Sequence, residues 1–126
     1  MTRNKGGRST VDPGLSVPLS VVKADLFKAL AHPARVRILE LLADGEQSVG
    51  QMQPLVGVEL SHLSQQLGVL RKAGLVTARR EGSTVFYAIR DPLVVELLGV
   101  AKQLLLHSLF ATRELLADLN ADIASS

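Results

Sequence analysis

The sequence predicts a mainly α-helical domain that carries one small β-hairpin. Apolar residues make up 47% of the chain and recur mostly at helical spacings of three and four. Aromatic residues make up only 3%, which indicates an aliphatic core. Apolar residues alternate in one short stretch, beside the turn sequence Glu81-Gly82-Ser83. We therefore expect four helices, two strands and a long last helix, in that order.

The first two helices meet at a His-Pro pair. Proline is disfavoured inside a helix but suits the first helical position, so Pro33 opens the second helix and His32 caps the junction. Gly45 ends that helix. In the first helix, which starts near Pro18, the residues that share one face are Val22, Leu26, Phe27 and Leu30. In the second helix they are Val36, Leu39, Leu42 and Ala43.

The third and fourth helices are separated by a turn at Gly57. Ser48 is the expected N-cap of the third helix, and Gly74 ends the fourth. The third helix is predicted to turn Met52, Leu55 and Val56 inward. Four leucines of the fourth helix fall within one arc of about 80°. They are Leu60, Leu63, Leu67 and Leu70.

The hairpin and the last helix complete the predicted domain. The strands are Val76–Arg80 and Thr84–Ile89, and alternation turns one face of the second strand inward. Asp91 caps the last helix, whose apolar residues fill more than one stripe and so predict a second copy packed across a two-fold axis. We expect residues 1–17 to form a disordered basic arm, residues 18–119 the domain, and residues 120–126 a flexible tail.

Charge and composition restrict the classes of function. The net charge is +2, with five basic against two acidic residues in 59–90 and an acidic surplus in 91–126. The absence of cysteine excludes disulfides, thiolate nucleophiles and cysteine-bound zinc. We find no nucleophile with a base, no phosphate-binding glycine loop and no carboxylate cluster, so we expect no enzyme. No secretory signal and no apolar run of membrane length is found, so we expect a cytoplasmic protein without membrane contact.

The fourth helix offers a candidate face for reading DNA. Glutamine can read adenine in the major groove, and serine or histidine can contact bases or phosphates. The face has no carboxylate after Glu59, whereas an ordinary solvated face, which is the alternative interpretation, mixes Glu and Lys. The candidate major-groove residues are Ser61, His62, Ser64 and Gln65.

Basic and hydroxyl side chains beside this face are candidates for phosphate contacts. They are Ser48, Arg71, Lys72, Arg79, Arg80, Ser83 and Thr84. Strand alternation sends Arg79 and Arg80 to opposite faces, so only one of them is expected to point at the phosphate backbone. Arg71 and Lys72 end a helix, where positive charge is favourable even without DNA. A hairpin that merely improves solubility is the alternative.

Three segments together resemble the ArsR/SmtB family of bacterial transcription regulators. They read LAHPARVRILELL, LSQQLGVLRKAGLV and REGSTVFYAI, within residues 20–105. The resemblance implies a winged helix-turn-helix homodimer joined through its first and last helices. It also implies repression of a promoter, relieved when an effector binds. Gln66 replaces a histidine that the family often has, and Gly68 falls where lysine is frequent.

The same resemblance leaves the effector unknown. Members that bind metal through cysteines of the third helix are not matched, because the chain has none. Members that bind zinc or nickel between paired last helices are matched only at Asp91 and His107, with Leu93 and Leu104 at the two middle positions. Two ligands are fewer than the four of a tetrahedral zinc site. The main prediction is a dimeric transcriptional regulator that binds double-stranded DNA. Two alternatives remain: a zinc- or nickel-responsive regulator, and a protein-interaction module without DNA binding.

Overall fold

The computed structural model describes residues 16–125, so the predicted arm lies almost wholly outside the described residues. Within these described residues, five helices and three strands follow one another. They are α1 (Leu19–Leu30), α2 (Pro33–Leu42), β1 (Gln47–Ser48), α3 (Val49–Val56), α4 (Leu60–Lys72), β2 (Val76–Glu81), β3 (Thr84–Ile89) and α5 (Leu93–Ser125). The mainly helical fold with its hairpin is as predicted.

The core lies where α2, α3, α4 and β2 meet. Its largest fully buried side chains are Ile38, Leu39, Leu42, Met52, Leu63, Leu67, Leu70 and Val76. Each fully buried side chain of this kind contributes about 1.5–3 kcal/mol relative to an exposed one. Three of the eight lie on α4, so the core fixes the rotation of that helix and determines which face it turns outward.

Side-chain caps define where α2 and α3 begin. The amide of Ala34 donates to Nδ1 of His32 at 3.1 Å, so the prediction that His32 caps the junction is confirmed. Oγ of Ser48 accepts the amide of Gln51 at 3.2 Å, and the Gln51 side chain accepts the amide of Ser48 at 2.8 Å. This reciprocal capping box confirms Ser48 as the N-cap of α3. Gly57, at φ 77°, ends α3 in the left-handed conformation that favours glycine.

The sheet has one strand more than the sequence predicts. β2 and β3 form the expected antiparallel hairpin, in register from Val76 opposite Ile89 to Glu81 opposite Thr84. The additional strand β1 pairs with β3 on its other side, giving the order β1-β3-β2. β1 has only two residues, both polar, and it pairs with residues about 40 positions further on, so no local pattern marks it.

Several predicted inward residues are exposed instead. Ala43 follows the last residue of α2, and Leu55 and Leu60 lie in the last turn of α3 and at the start of α4, beyond the reach of the core. Ile38 and Gln66 are buried, although the sequence patterns do not predict it.

Helix α1 contacts the core only near its C-terminal end. Val22 and Phe27 are exposed, whereas Leu30 is buried and Leu26 packs beside the core.

The last helix is longer than predicted. α5 continues to Ser125, so residues 120–125, which the sequence assigns to a flexible tail, are helical here. Beyond Leu98 its apolar side chains face solvent. By length and apolar content alone the segment Leu93–Ala124 would be long enough to cross a membrane. Polar residues interrupt this segment, so it is not one uninterrupted apolar run, although its mean hydropathy is high.

Candidate nucleic-acid interface

The outer face of α4 presents small polar side chains to solvent. Ser61, Ser64 and Gln65 are exposed, opposite the buried leucines. No acidic residue lies within α4, and Glu59 at its N-cap makes no side-chain capping hydrogen bond. A Cβ at Gly68 would meet no atom within 4 Å, so packing inside the chain does not require glycine there. The face therefore carries no carboxylate and is open to another surface.

His62 is the one predicted reading residue that the fold half-buries. Its ring contacts the ring of His32 edge to face, with the centroids 5.6 Å apart. Nδ1 of His32 also accepts the Ala34 amide, so its position is fixed by the start of α2. The contact joins the first turn of α4 to the start of α2. It therefore fixes the N-terminal end of the exposed face of α4.

Arg71 connects the face of α4 with the hairpin. It lines one concave surface together with Gln65, Gly68, Val69 and Lys72. It also lines a second concave surface together with Ala78, Arg79, Arg80, Val85 and Tyr87. The exposed side of α4 and the hairpin therefore form one continuous surface with basic groups along it.

The two hairpin arginines have different surroundings. The Arg79 guanidinium donates twice to Glu46, from Nε at 2.8 Å and Nη2 at 2.7 Å, and once to Glu81, from Nη1 at 2.6 Å. It also lies over the Phe86 ring, 4.6 Å from the centroid. Within residues 16–125, Arg80 makes no salt bridge. Of the two arginines, only Arg79 is held by salt bridges within the described residues.

The ion pair shifts the ionisation of both partners. Hydrogen bonds from Arg79 hold the pKa of the Glu46 carboxyl below its ordinary value. Hydrogen bonds to Glu46 and then Glu81 raise the pKa of the Arg79 guanidinium. Both groups are therefore charged at neutral pH. No local pattern predicts this pair, because Glu46 and Arg79 are 33 positions apart.

The three hydroxyl residues predicted to contact phosphate differ in their exposure. Ser83 and Thr84 are exposed at the tip of the hairpin, beside Gly82, whose φ of 65° makes the tight turn. Ser48 is only 9% exposed, and its Oγ already accepts the Gln51 amide. Ser48 therefore fills its predicted capping role, whereas Ser83 and Thr84 are open to solvent.

The two weak metal candidates are far apart within one chain. One carboxylate oxygen of Asp91 accepts the Leu93 amide at 2.9 Å and so caps α5. His107 lies on the exposed part of α5, about 24 Å further along at the usual helical rise. Within residues 16–125 no three His, Cys, Asp or Glu side chains come together as a metal site would require.

Two short helices joined by a glycine turn, followed by a hairpin beside the second helix, define the winged helix-turn-helix class. The sequence profile for bacterial regulatory proteins of the arsR family matches residues 32–78. An HTH-type transcriptional regulator of Mycobacterium tuberculosis, Rv0081, is 52% identical over 107 residues, which are 84% of this chain and 94% of that protein. The chain belongs to the arsR family.

Solved structures agree with this membership. The crystal structure of Rv0081 superposes with a TM-score of 0.68 at 55% identity, over 75% of this chain and 95% of that one. The homodimeric winged helix-turn-helix DNA-binding domain Mb0332 from Mycobacterium bovis gives 0.67 at 31% identity, over 86% and 94%. A biofilm growth-associated repressor of Xylella fastidiosa is 37% identical over 91 residues, which are 72% of this chain and 75% of that protein.

Proposed function

We propose that this protein is a dimeric, sequence-specific DNA-binding transcriptional regulator of the cytoplasm that represses a promoter. The observation that carries the proposal is the carboxylate-free face of α4, which continues through Arg71 into the hairpin. DNA presents negative charge everywhere, so a surface that reads it gains from omitting carboxylates. Repression is supported by the Xylella relative, which is named a repressor.

The two parts of the surface take different tasks in this proposal. Ser61, Ser64 and Gln65 enter the major groove, where Gln65 can form two hydrogen bonds to an adenine. His62 lies at the edge of the groove. Exposed groups at the end of α4 and on the hairpin neutralise or bind phosphates and so fix the position of α4. These are Arg71, Lys72, Arg80, Ser83 and Thr84.

A second copy of the chain covers the exposed apolar residues of α1 and α5 in this proposal. Phe27 on α1 is 56% exposed, and Leu105 and Phe110 on α5 are 70% and 63% exposed. A homodimer is supported by Mb0332, which is one. A partner helix suits α5 better than a bilayer does, because Lys102, Arg113 and Asp118 interrupt its apolar surface.

Footprinting of the purified protein on its own upstream DNA tests the proposal. A two-fold dimer predicts two protected half-sites of related, inverted sequence, about 10–10.5 base pairs apart from centre to centre, or a multiple of that spacing. Protection without inverted symmetry would contradict the dimeric mode of binding. A known repressor on its own operator serves as the control. If this protein protected no DNA at concentrations at which the control is protected, a module that binds protein would be favoured instead.

A further inference from the structure

One hairpin arginine is tied to a distant part of the chain. Arg79 on β2 pairs with Glu46, which lies between the end of α2 and the start of β1. Two parallel hydrogen bonds join the guanidinium to both carboxylate oxygens, and the same guanidinium reaches Glu81. Because β1 leads directly into α3, the pair links the hairpin to the segment from which the helix-turn-helix begins.

We propose that Arg79 is a positioning residue, which sets the angle of the hairpin against the helix-turn-helix and leaves Arg80 to bind phosphate. This inference rests on the proposed function. Two carboxylates contact one guanidinium, so this cluster adds no net positive charge that would attract DNA. A phosphate that took Arg79 would have to displace a bidentate partner and expose Glu46 to the negative backbone.

The geometry requires the planar fork of arginine. Bonds from Nε and Nη2 reach the two oxygens of Glu46, while Nη1 is left for Glu81. The face of the guanidinium lies over Phe86 on the neighbouring strand, directly opposite Arg79 in the register. Lysine would keep the charge but could not make the parallel pair or the stacking contact. Arg79→Lys therefore separates the effect of geometry from the effect of charge.

Hydrogen exchange of the free protein tests the link without any DNA. Glu46→Gln removes the ion pair, and Glu40→Gln is its control, because Glu40 is exposed on α2 and its loss changes the net charge equally. We expect amides of the hairpin tip to exchange about two- to fivefold faster in Glu46→Gln, a factor typical of one lost exposed pair. Exchange equal to that of Glu40→Gln would overturn the proposal, whatever the protein binds.

DNA binding then tests whether the link positions the hairpin. Both Glu46→Gln and Arg79→Lys should weaken operator binding about two- to fivefold relative to Glu40→Gln, with the dependence on salt unchanged. Arg80→Ala should instead flatten the slope of log affinity against log salt by about 0.9 per protomer. Tighter binding and a steeper slope in Glu46→Gln than in Glu40→Gln would show Arg79 to be a phosphate ligand and overturn the inference. If the wild-type protein bound no duplex selectively, the proposed function would be refuted. The link between Arg79 and Glu46 would still be tested separately, by hydrogen exchange.

Discussion

The rings of His32 and His62 meet at an interplanar angle of 90°, and this contact joins the N-cap of α2 to the first turn of α4. The two residues lie 30 positions apart in the chain, yet each is placed by its own helix. The contact therefore ties the candidate reading helix to a helix of the core.

The histidine pair should contribute to stability as a unit. Edge-to-face ring pairs contribute about 0.5–1.5 kcal/mol beyond the area they bury. His32→Ala also removes the cap of α2, at a cost of about 0.5–2 kcal/mol. In urea unfolding at one fixed protein concentration, the double variant should lose less free energy of unfolding than the two single variants summed. Strict additivity would show that the rings do not interact.

Replacing Gly68 by alanine should stabilise the protein and weaken its binding to DNA. Alanine has no steric obstacle there and should raise the free energy of unfolding by about 0.5–1 kcal/mol, since glycine is costly inside a helix. The added methyl group stands on the face proposed to approach DNA, so operator affinity should fall. Gly99→Ala is the matched control on α5, where a Cβ also meets nothing within 4 Å. If Gly68→Ala bound the operator as well as Gly99→Ala does, close approach at this position would be refuted.

Gln65→Ala should relax the base preference of the protein. Loss of a bidentate contact to adenine removes about 1–3 kcal/mol of discrimination at one base pair of each half-site. Affinities for a set of operators with single base changes would reveal that position. Gln103→Ala, on exposed α5, should leave the preference unchanged. An unaltered preference in Gln65→Ala would mean that another face of the protein reads the bases.

Gln66 should be replaceable by an apolar residue with a gain in stability. It is 7% exposed, and within the described chain its Oε1 is buried without a hydrogen-bond partner. Methionine has a similar shape and removes an unsatisfied acceptor that costs about 1–3 kcal/mol. Gln66→Met should therefore raise the unfolding midpoint, whereas Gln65→Met at the exposed neighbour should stay within about 0.5 kcal/mol of wild type. A lower midpoint for Gln66→Met would indicate that Oε1 is satisfied in solution.

The Glu46–Arg79 pair should be insensitive to pH near neutrality. Since the pKa of the Glu46 carboxyl lies below its ordinary value of 4.5, the pair is intact at neutral pH and is lost as the pH falls through that lowered pKa. An NMR titration of the carboxyl should show the lowered pKa, and Arg79→Lys should move it back toward 4.5. A wild-type value at or above 4.5 would contradict the geometry of the pair.

Local patterns in the sequence account for most of the fold. Pro33 after His32, the capping box at Ser48 and the glycines at 57 and 74 mark helix ends through chemistry that acts within a few residues. The leucine spacing of α4 correctly predicted the exposed face, because three leucines of the stripe are fully buried. Leu60 is the exception, as it lies at the end of the stripe.

Contacts between distant segments could not be predicted in this way. The strand β1, the His32–His62 contact and the Glu46–Arg79 pair each join residues at least 30 positions apart. Gln66 is a polar residue in a buried position, so hydrophobic patterning does not predict its burial. The separation of Arg79 from Arg80 was expected from strand alternation, but only the structure identifies which arginine is paired.

Sequence-specific DNA binding can be measured with the purified protein on its own upstream DNA and on a scrambled duplex of equal composition, each at two salt concentrations. We expect much tighter binding to the upstream sequence, with affinity for both duplexes falling steeply as salt rises. Equal and weak binding to both duplexes, with little dependence on salt, would contradict it.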